Sequence, residues 1–262
     1  MDGTELIRWL HRLRVWLDRS RRSAPFDTVR FHEPPFGDAY LTFDAASNST
    51  AASFNENRVY LCGTQDSLSA EGLERLVRLF EDRGIKRFFV WLSPGPDASI
   101  AHDWLVAAGF SKVAWTRYPT LVARDLAERQ VVSDLTIREV NPEDVRQARD
   151  ALGEALWTDY VVTAGQPGFH HFMAFDGSRP VATAALALFE GVGYLAFAST
   201  EPGSRCRGAQ QALIARRFKE ARRLGCDLLV SETLTMLPHS MANLQRLGFV
   251  EAHEKRVYAW DT

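Results

Sequence analysis

The feature that most limits how this chain can fold is a pattern that occurs twice. Each copy reads as a helix, a glycine, a strand, a short second helix and a Gly-Phe pair. Gly84 and Gly225 follow the first helix of each copy, and Gly109 and Gly248 follow the second. A glycine directly after a helix favours a left-handed cap that ends it. The repeat therefore predicts two copies of one α/β unit.

The length and the polar segment between the copies predict where the domains divide. The chain has 262 residues, which suits two domains of ordinary size. The segment DLAERQVVSD at 125–134 separates the copies, so we expect domains at 1–130 and 131–262. The second half reads as βαβββαβαβ and the first as a rougher version. This order predicts an α/β fold with a mixed sheet flanked by helices in each half, and excludes a doubly wound sheet.

The N-terminal segment reads as an amphipathic helix. Leu6, Leu10, Leu13 and Leu17 recur at helical spacing, and arginines interrupt the apolar stretch. Those charges exclude a signal peptide or a membrane span. We expect the helix to pack on its own domain or a partner; the alternative is a basic helix on a membrane surface.

Charge and cysteine usage narrow the function classes. The formal net charge is −2, whereas a nucleic-acid surface needs a basic excess, so we expect no nucleic-acid partner. Cys62, Cys206 and Cys226 are widely spaced and form no CxxC pair. We therefore expect no disulfide framework, no metal site and a cytoplasmic location.

The segment from Ser199 to Gln210, STEPGSRCRGAQ, links an apolar strand to a long helix. The first amides of a helix lack intrahelical partners and carry partial positive charge, so they favour a bound phosphate. Arg205 and Arg207 add full charges, and Gly208 lets the backbone approach a ligand closely. The segment therefore predicts a pyrophosphate site, although such a turn also occurs without a ligand.

Residues 205–209, RCRGA, resemble the Arg-x-x-Gly-x-Gly/Ala motif of the GNAT superfamily of N-acetyltransferases. Residues 225–233 resemble the fifth strand of that family, and 240–249 the helix and Gly-Phe pair that close its cofactor cleft. Residues 55–124 resemble the N-terminal half of tandem GNAT proteins in a degenerate form. The carboxylates of Asp66 and Glu71, near the start of its helix, would repel a pyrophosphate, so we expect this half to bind no cofactor.

The resemblance implies that acetyl-CoA is the co-substrate. Its pantetheine arm would enter between two strands that separate, and the loop would hold its pyrophosphate. Gln210 departs from the family, which usually has Gly or Ala there. Cys206 is interpreted as a variable loop residue, with a nucleophile as the alternative. The cofactor-binding residues so implied are Phe197, Ala198, Ser199, Thr200, Arg205, Cys206, Arg207, Gly208, Ala209, Gln210, Ser240 and Asn243.

Acetyl transfer to an amine needs a group that accepts the amine proton and one that protonates the leaving thiolate. The carboxylate and tyrosine common in the family are missing; Tyr194 lies near the first position and Leu244 at the second. Glu232, Tyr194 and His239 remain as candidates. Each also has a purely structural interpretation, and a water chain could take the proton instead.

Two functions follow from these residues. The first is an N-acetyltransferase that acts on a small-molecule amine, as a monomer or homodimer without a membrane partner. The second is a catalytically weak acyl-CoA-binding pseudoenzyme that acts as a sensor or scaffold. The intact loop supports both, and the missing tyrosine slightly favours the second.

Overall fold

The computed structural model describes residues 1–20, 27–33, 37–45, 57–61, 70–95, 98–153 and 156–261. Cys62 and Asp66 lie outside these residues. The chain forms two compact units: unit 1 contains residues 1–119, 234–236 and 253–262, and unit 2 contains residues 120–233 and 237–252. Residues 120–130 of the expected first domain thus lie in unit 2, and residues 253–262 of the expected second domain lie in unit 1.

Unit 1 is a mixed sheet with helices. Its described elements are α1 (Gly3–Ser20), β1 (Asp27–Glu33), β2 (Gly37–Phe43), β3 (Arg58–Leu61), α2 (Ala70–Glu81), β4 (Arg87–Leu92), α3 (Ala98–Ala107) and the first part of β5 (Ser111–Ala123). Strand β2 pairs antiparallel with β1 on one side and with β3 on the other, and β3 pairs parallel with β4. Its largest core cluster includes Phe80, Phe88 and Phe110.

The N-terminal helix α1 is amphipathic, as predicted. Leu6, Leu10, Leu13 and Leu17 are buried, and Val15 packs against an aromatic cluster of unit 1. The prediction that this helix packs on its own domain is therefore confirmed. Among the described helices, none combines the length and apolar character that a membrane crossing requires.

Unit 2 follows the predicted order βαβββαβαβ. Its elements are β6 (Thr136–Val140), α4 (Pro142–Gln147), α5 (Arg149–Leu152), α6 (Thr158–Val162), β7 (Phe169–Asp176), β8 (Arg179–Phe189), β9 (Val192–Thr200), α7 (Ala209–Arg223), β10 (Leu229–Glu232), α8 (Pro238–Arg246) and the start of β11 (Val250–Asp261). Strands β6 to β9 pair antiparallel in sequence, β9 pairs parallel with β10, and β10 pairs antiparallel with the end of β5. Helices α7 and α8 cover an apolar cluster on this sheet.

Each copy of the repeat ends its two helices in the same way. Gly84, Gly109, Gly225 and Gly248 all have positive φ. Each donates its amide to the carbonyl three residues earlier, and the next residue donates to the carbonyl five residues earlier. These are Schellman motifs, in which glycine removes the steric cost of the left-handed residue. The predicted helix ends are confirmed.

Candidate functional site

The loop before α7 presents backbone donors. Gly208 is the N-cap residue, with φ +77°, and as a glycine it offers no side chain to cap the helix. The first amides of α7 therefore have no intrahelical acceptors. A Cβ at Gly208 would lie 2.8 Å from the carbonyl oxygen of Val132, so the loop can pass there only with glycine. Ser133 donates its hydroxyl to the carbonyl of Arg207 at 3.0 Å and holds the loop in place. The chemistry of these donors fits a pyrophosphate.

The two arginines of the loop differ. Arg205 is exposed, and no acidic partner contacts it among the described residues. Arg207 forms ion pairs with Asp134 at 2.5 Å and Asp176 at 2.6 Å. Hydrogen bonds from Arg207 lower the pKa of both carboxyls and raise its own pKa. Arg207 thus braces the loop, contrary to the expectation that its charge is available to an anion.

The turn that leads into the loop is braced separately. Glu201 accepts hydrogen bonds from the Ser204 hydroxyl at 2.7 Å and from Arg179 at 2.8 Å. The Ser204 hydrogen bond and then the Arg179 hydrogen bond lower the pKa of Glu201. Glu201 had no role assigned from the sequence, because its contact with Arg179 joins residues 22 positions apart.

Helix α8 meets the start of α7 through side-chain amides. Asn243 donates to Gln210 at 2.7 Å, and Gln210 donates to the Ser240 hydroxyl at 3.2 Å. Gln211 donates to the amide oxygen of Asn243 at 2.9 Å. Ser240 and Asn243 therefore lie beside the loop, as the resemblance implies, and Gln210 points its side chain to α8.

Strand β9 carries an irregularity where it leaves β10. The pairing of β9 with β10 stops at Leu195 and Ser231, while β9 continues to Thr200. Against β8 the register shifts, so that Phe197 and Ala198 together face one residue, and Phe197 has φ +52°. This is a β-bulge, which bends a strand and leaves backbone groups unpaired. The expected separation of the two strands is present at Phe197–Ser199.

Two of the three catalytic candidates meet at this separation. The Tyr194 hydroxyl donates to one carboxylate oxygen of Glu232 at 3.1 Å, and the Thr120 hydroxyl donates to the other at 3.1 Å. Tyr194 and Thr120 are buried, whereas Glu232 is partly exposed. Thr120 was not recognised from the sequence, because it lies on the strand before the predicted boundary and belongs to no motif.

The histidines lie apart from this pair. His239 is exposed in the first turn of α8. His171 is buried against Tyr160, and burial lowers its pKa to about 4, so it is neutral at pH 7. His171 is therefore a packing residue.

Three side chains on the outer face of unit 2 could approach a metal ion. Ligand atoms of Glu139, His170 and Glu220 lie within 4.8 Å of one another. Glu220, however, is paired with Arg216 at 2.7 Å and Arg223 at 2.5 Å. The two arginines already neutralise the buried carboxylate, so the cluster carries no argument for a metal.

Comparisons with known proteins bear on the same region. A model described as Acetyltransferase (GNAT) family matches residues 135–249. No curated protein matches the chain by sequence.

Solved structures extend the likeness in fold. A GCN5-related N-acetyltransferase from Kribbella flavida is 19% identical, with a TM-score of 0.71, and the match covers 99% of this chain and 96% of that one. A GCN5-related N-acetyltransferase from Sphaerobacter thermophilus is 14% identical, with a TM-score of 0.61 and coverage of 85% and 80%. A tandem GNAT protein from the clavulanic acid biosynthesis pathway is 11% identical, with a TM-score of 0.55 and coverage of 88% and 85%. Residues 135–249 thus match the acetyltransferase (GNAT) family, and the solved structures show the same fold over most of the chain.

Proposed function

We propose that unit 2 binds acetyl-CoA and transfers its acetyl group to the amine of a small molecule. A GNAT domain supports acyl transfer in general. The observation that carries the finer proposal is the contact between Tyr194 and Glu232 at the point where β9 and β10 separate. A carboxylate and a phenol then stand beside the bulge, in the domain that also holds the uncapped start of α7.

The loop and the bulge fit different parts of acetyl-CoA. The backbone amides at Gly208–Gln210 and the exposed guanidinium of Arg205 suit its pyrophosphate. The backbone at Phe197–Ser199, which lies beyond the last residue pair of β9 and β10, suits the pantetheine amides, which would pair with it as an added strand does. Ser240 and Asn243 stand beside the loop on α8 and would contact the arm.

Two residues account for the proton transfers that the reaction needs. Acetyl-CoA, when bound, supplies an activated acetyl group and a thiolate leaving group. As the amine nitrogen bonds to the acetyl carbon and the carbon–sulfur bond breaks, Glu232 accepts a proton from the amine and Tyr194 donates one to the thiolate. The phenolate is then reprotonated by Glu232, because the two groups share a hydrogen bond of 3.1 Å. Thr120 orients the carboxylate without exchanging a proton.

A second candidate function is an acyl-CoA-binding sensor or scaffold without turnover. One observation favours it: Leu244 occupies the helix position where the family often has a tyrosine, and it is only 3% exposed. An apolar buried side chain there cannot protonate a thiolate. This candidate predicts cofactor binding of the same strength with no thiol release.

The test combines a binding and a turnover measurement. CoA is titrated calorimetrically, and acetyl-CoA is mixed with a library of small primary amines while free thiol is detected with a chromogenic disulfide. Binding together with amine-dependent thiol release supports the transferase. Binding with no thiol release from any amine supports the sensor, and absence of binding contradicts both.

A charge reversal assigns the binding to the loop. We expect Arg205→Glu to weaken CoA binding by about tenfold or more, because it places a carboxylate beside the pyrophosphate. Arg222→Glu, at the other end of α7 and also exposed, is the matched control. Equal affinities of the two variants would remove the loop from the proposal.

A further inference from the structure

Arg217 is a buried cation on the helix that begins at the loop. It is 2% exposed and lies on the buried side of α7, with Leu213 and Ala221. Among the described residues no carboxylate contacts it; its partners are two carbonyl oxygens. Burial lowers the pKa of Arg217 to about 9. A buried charge without a counter-ion is costly, and an apolar side chain would fill this position more cheaply.

The two carbonyl groups to which Arg217 donates belong to different elements, α7 and β8. Nε donates to Leu213 of its own helix at 3.1 Å, and Nη1 donates to Ala185 of β8 at 3.2 Å. Ala185 pairs with Ala196, and the register between β8 and β9 shifts directly beyond this pair. Arg217 therefore fixes α7 to β8 beside the β9 bulge.

The same helix carries the other end of the proposed cofactor site. The first residue of α7, Ala209, adjoins the loop, and Arg217 follows eight residues later, about 12 Å along the helix axis. Movement of α7 along the sheet would change the distance between the phosphate-binding amides and the bulge. A guanidinium bonded to both the helix and β8 resists that movement through directional hydrogen bonds, which an apolar side chain cannot form.

We infer that Arg217 is a positioning residue, which sets the distance between the phosphate-binding start of α7 and the β9 bulge that receives the thioester end of acetyl-CoA. This inference rests on the proposed function. It assigns a reason for a charge that the fold alone does not need.

The experiment compares a ligand that reaches one end of the site with a ligand that spans both. ADP bearing a 3′-phosphate is the nucleotide half of CoA and contacts the loop alone; acetyl-CoA extends to the bulge. In Arg217→Met we expect the nucleotide Kd within twofold of the unchanged protein, and the acetyl-CoA Kd raised about tenfold or more. Equal losses for the two ligands, or no loss for either, would overturn the inference.

Further variants keep the test decisive. Arg217→Lys retains a charged donor, and we expect it to recover acetyl-CoA affinity to within about threefold of the unchanged protein. Arg217→Gln retains a neutral donor and replaces Arg217→Met if the latter does not fold. Arg222→Met, on an exposed turn of α7, is the control. If Arg217→Lys binds as poorly as the uncharged variants, the inference is wrong; if the unchanged protein binds neither ligand, the proposed function fails instead.

Discussion

Among the described residues, the two copies of the repeat differ at the strand after the first helix. In unit 1, β3 and β4 stay paired through Leu61 and Leu92. In unit 2, the parallel pairing of β9 with β10 stops at Leu195 and Ser231, and β9 continues alone. Counted from the glycine that ends the preceding helix, Leu92 stands two residues further along its strand than Ser231. The parallel pairing of the two strands thus extends further from that glycine in unit 1 than in unit 2.

The side chains at corresponding positions differ in the same sense. Trp91 of β4 and Glu232 of β10 follow Gly84 and Gly225 at the same interval. Trp91 is buried and packs against Tyr60 with a distance of 5.6 Å between the ring centroids, so it belongs to a packed cluster. Glu232 is partly exposed and bonded to two hydroxyls. The comparison teaches that the same position after the helix-ending glycine holds a buried aromatic side chain in one unit and a partly exposed carboxylate in the other.

Among the substitutions that test this difference between the units, we expect the largest effect on activity at Glu232. Glu232→Gln keeps the shape of the side chain but cannot accept a proton, so we expect kcat to fall about 100-fold or more. CoA affinity should stay within twofold, because the substitution leaves the loop intact. Steady-state turnover with acetyl-CoA and an accepted amine measures the loss.

The matched control lies in unit 1. Trp91→Phe removes part of the aromatic cluster and should lower the thermal midpoint while leaving kcat within twofold. If Glu232→Gln also retained kcat within about threefold, the proton-transfer role would be wrong, and the difference between the strands would be structural only.

A smaller effect is expected from glycines of the two copies. Gly84 and Gly208 both have positive φ, so alanine should cost about 1–2 kcal/mol of unfolding free energy at either position. Among the described residues, apart from its chain neighbours, no atom lies within 4 Å of a Cβ added at Gly84, whereas at Gly208 the Val132 carbonyl oxygen lies at 2.8 Å. We therefore expect Gly208→Ala alone to displace the loop and raise the CoA Kd about tenfold.

Calorimetric titration and chemical denaturation together measure both variants. A Gly208→Ala protein that is destabilised but binds CoA normally would contradict the assignment of the loop. A Gly84→Ala protein with weakened CoA binding would contradict the view that unit 1 stays out of cofactor binding.

The fold could be predicted from the sequence largely because its signals are local. The glycine after each repeated helix and the Asp176-Gly177 and Glu190-Gly191 turns depend on a few neighbouring residues, and all of them form in the structure. Asn141 likewise caps α4 through a capping box with Asp144. Signals of this kind act before tertiary structure forms, so a single sequence displays them.

The site was less predictable because its contacts join distant segments. The Arg207 side chain was expected at an anion, but Asp134 and Asp176 bind it across long stretches of chain. The Thr120–Glu232 contact joins strands more than a hundred residues apart. Arg217 is the exception that periodicity could have found, since it stands in an apolar stripe between Leu213 and Ala221.

A modest effect of pH on stability is expected from the ion pairs of Arg207 with Asp134 and Asp176, called the bridge below. Hydrogen bonds from Arg207 lower the pKa of Asp134 and Asp176 in the folded chain. Carboxyls with a lowered pKa stabilise the fold above their unfolded pKa, and this contribution is lost as pH falls through the folded value. We expect the thermal midpoint to fall from about pH 5 downward. The double variant Asp134→Asn, Asp176→Asn should show a shallower fall, and an unchanged slope would contradict the role of the bridge.

The smallest effect is expected for substitution of His239. This variant tests whether the residues beside the end of the β9–β10 pairing carry the proton transfer without help from α8. His239 is exposed in the first turn of α8 and does not join the Tyr194–Glu232 pair among the described contacts. His239→Ala should therefore leave kcat/KM within twofold, with Glu232→Gln measured in parallel as the positive control. A loss of more than tenfold would make His239 a participant in proton transfer, and the chemistry would then extend from β10 onto α8.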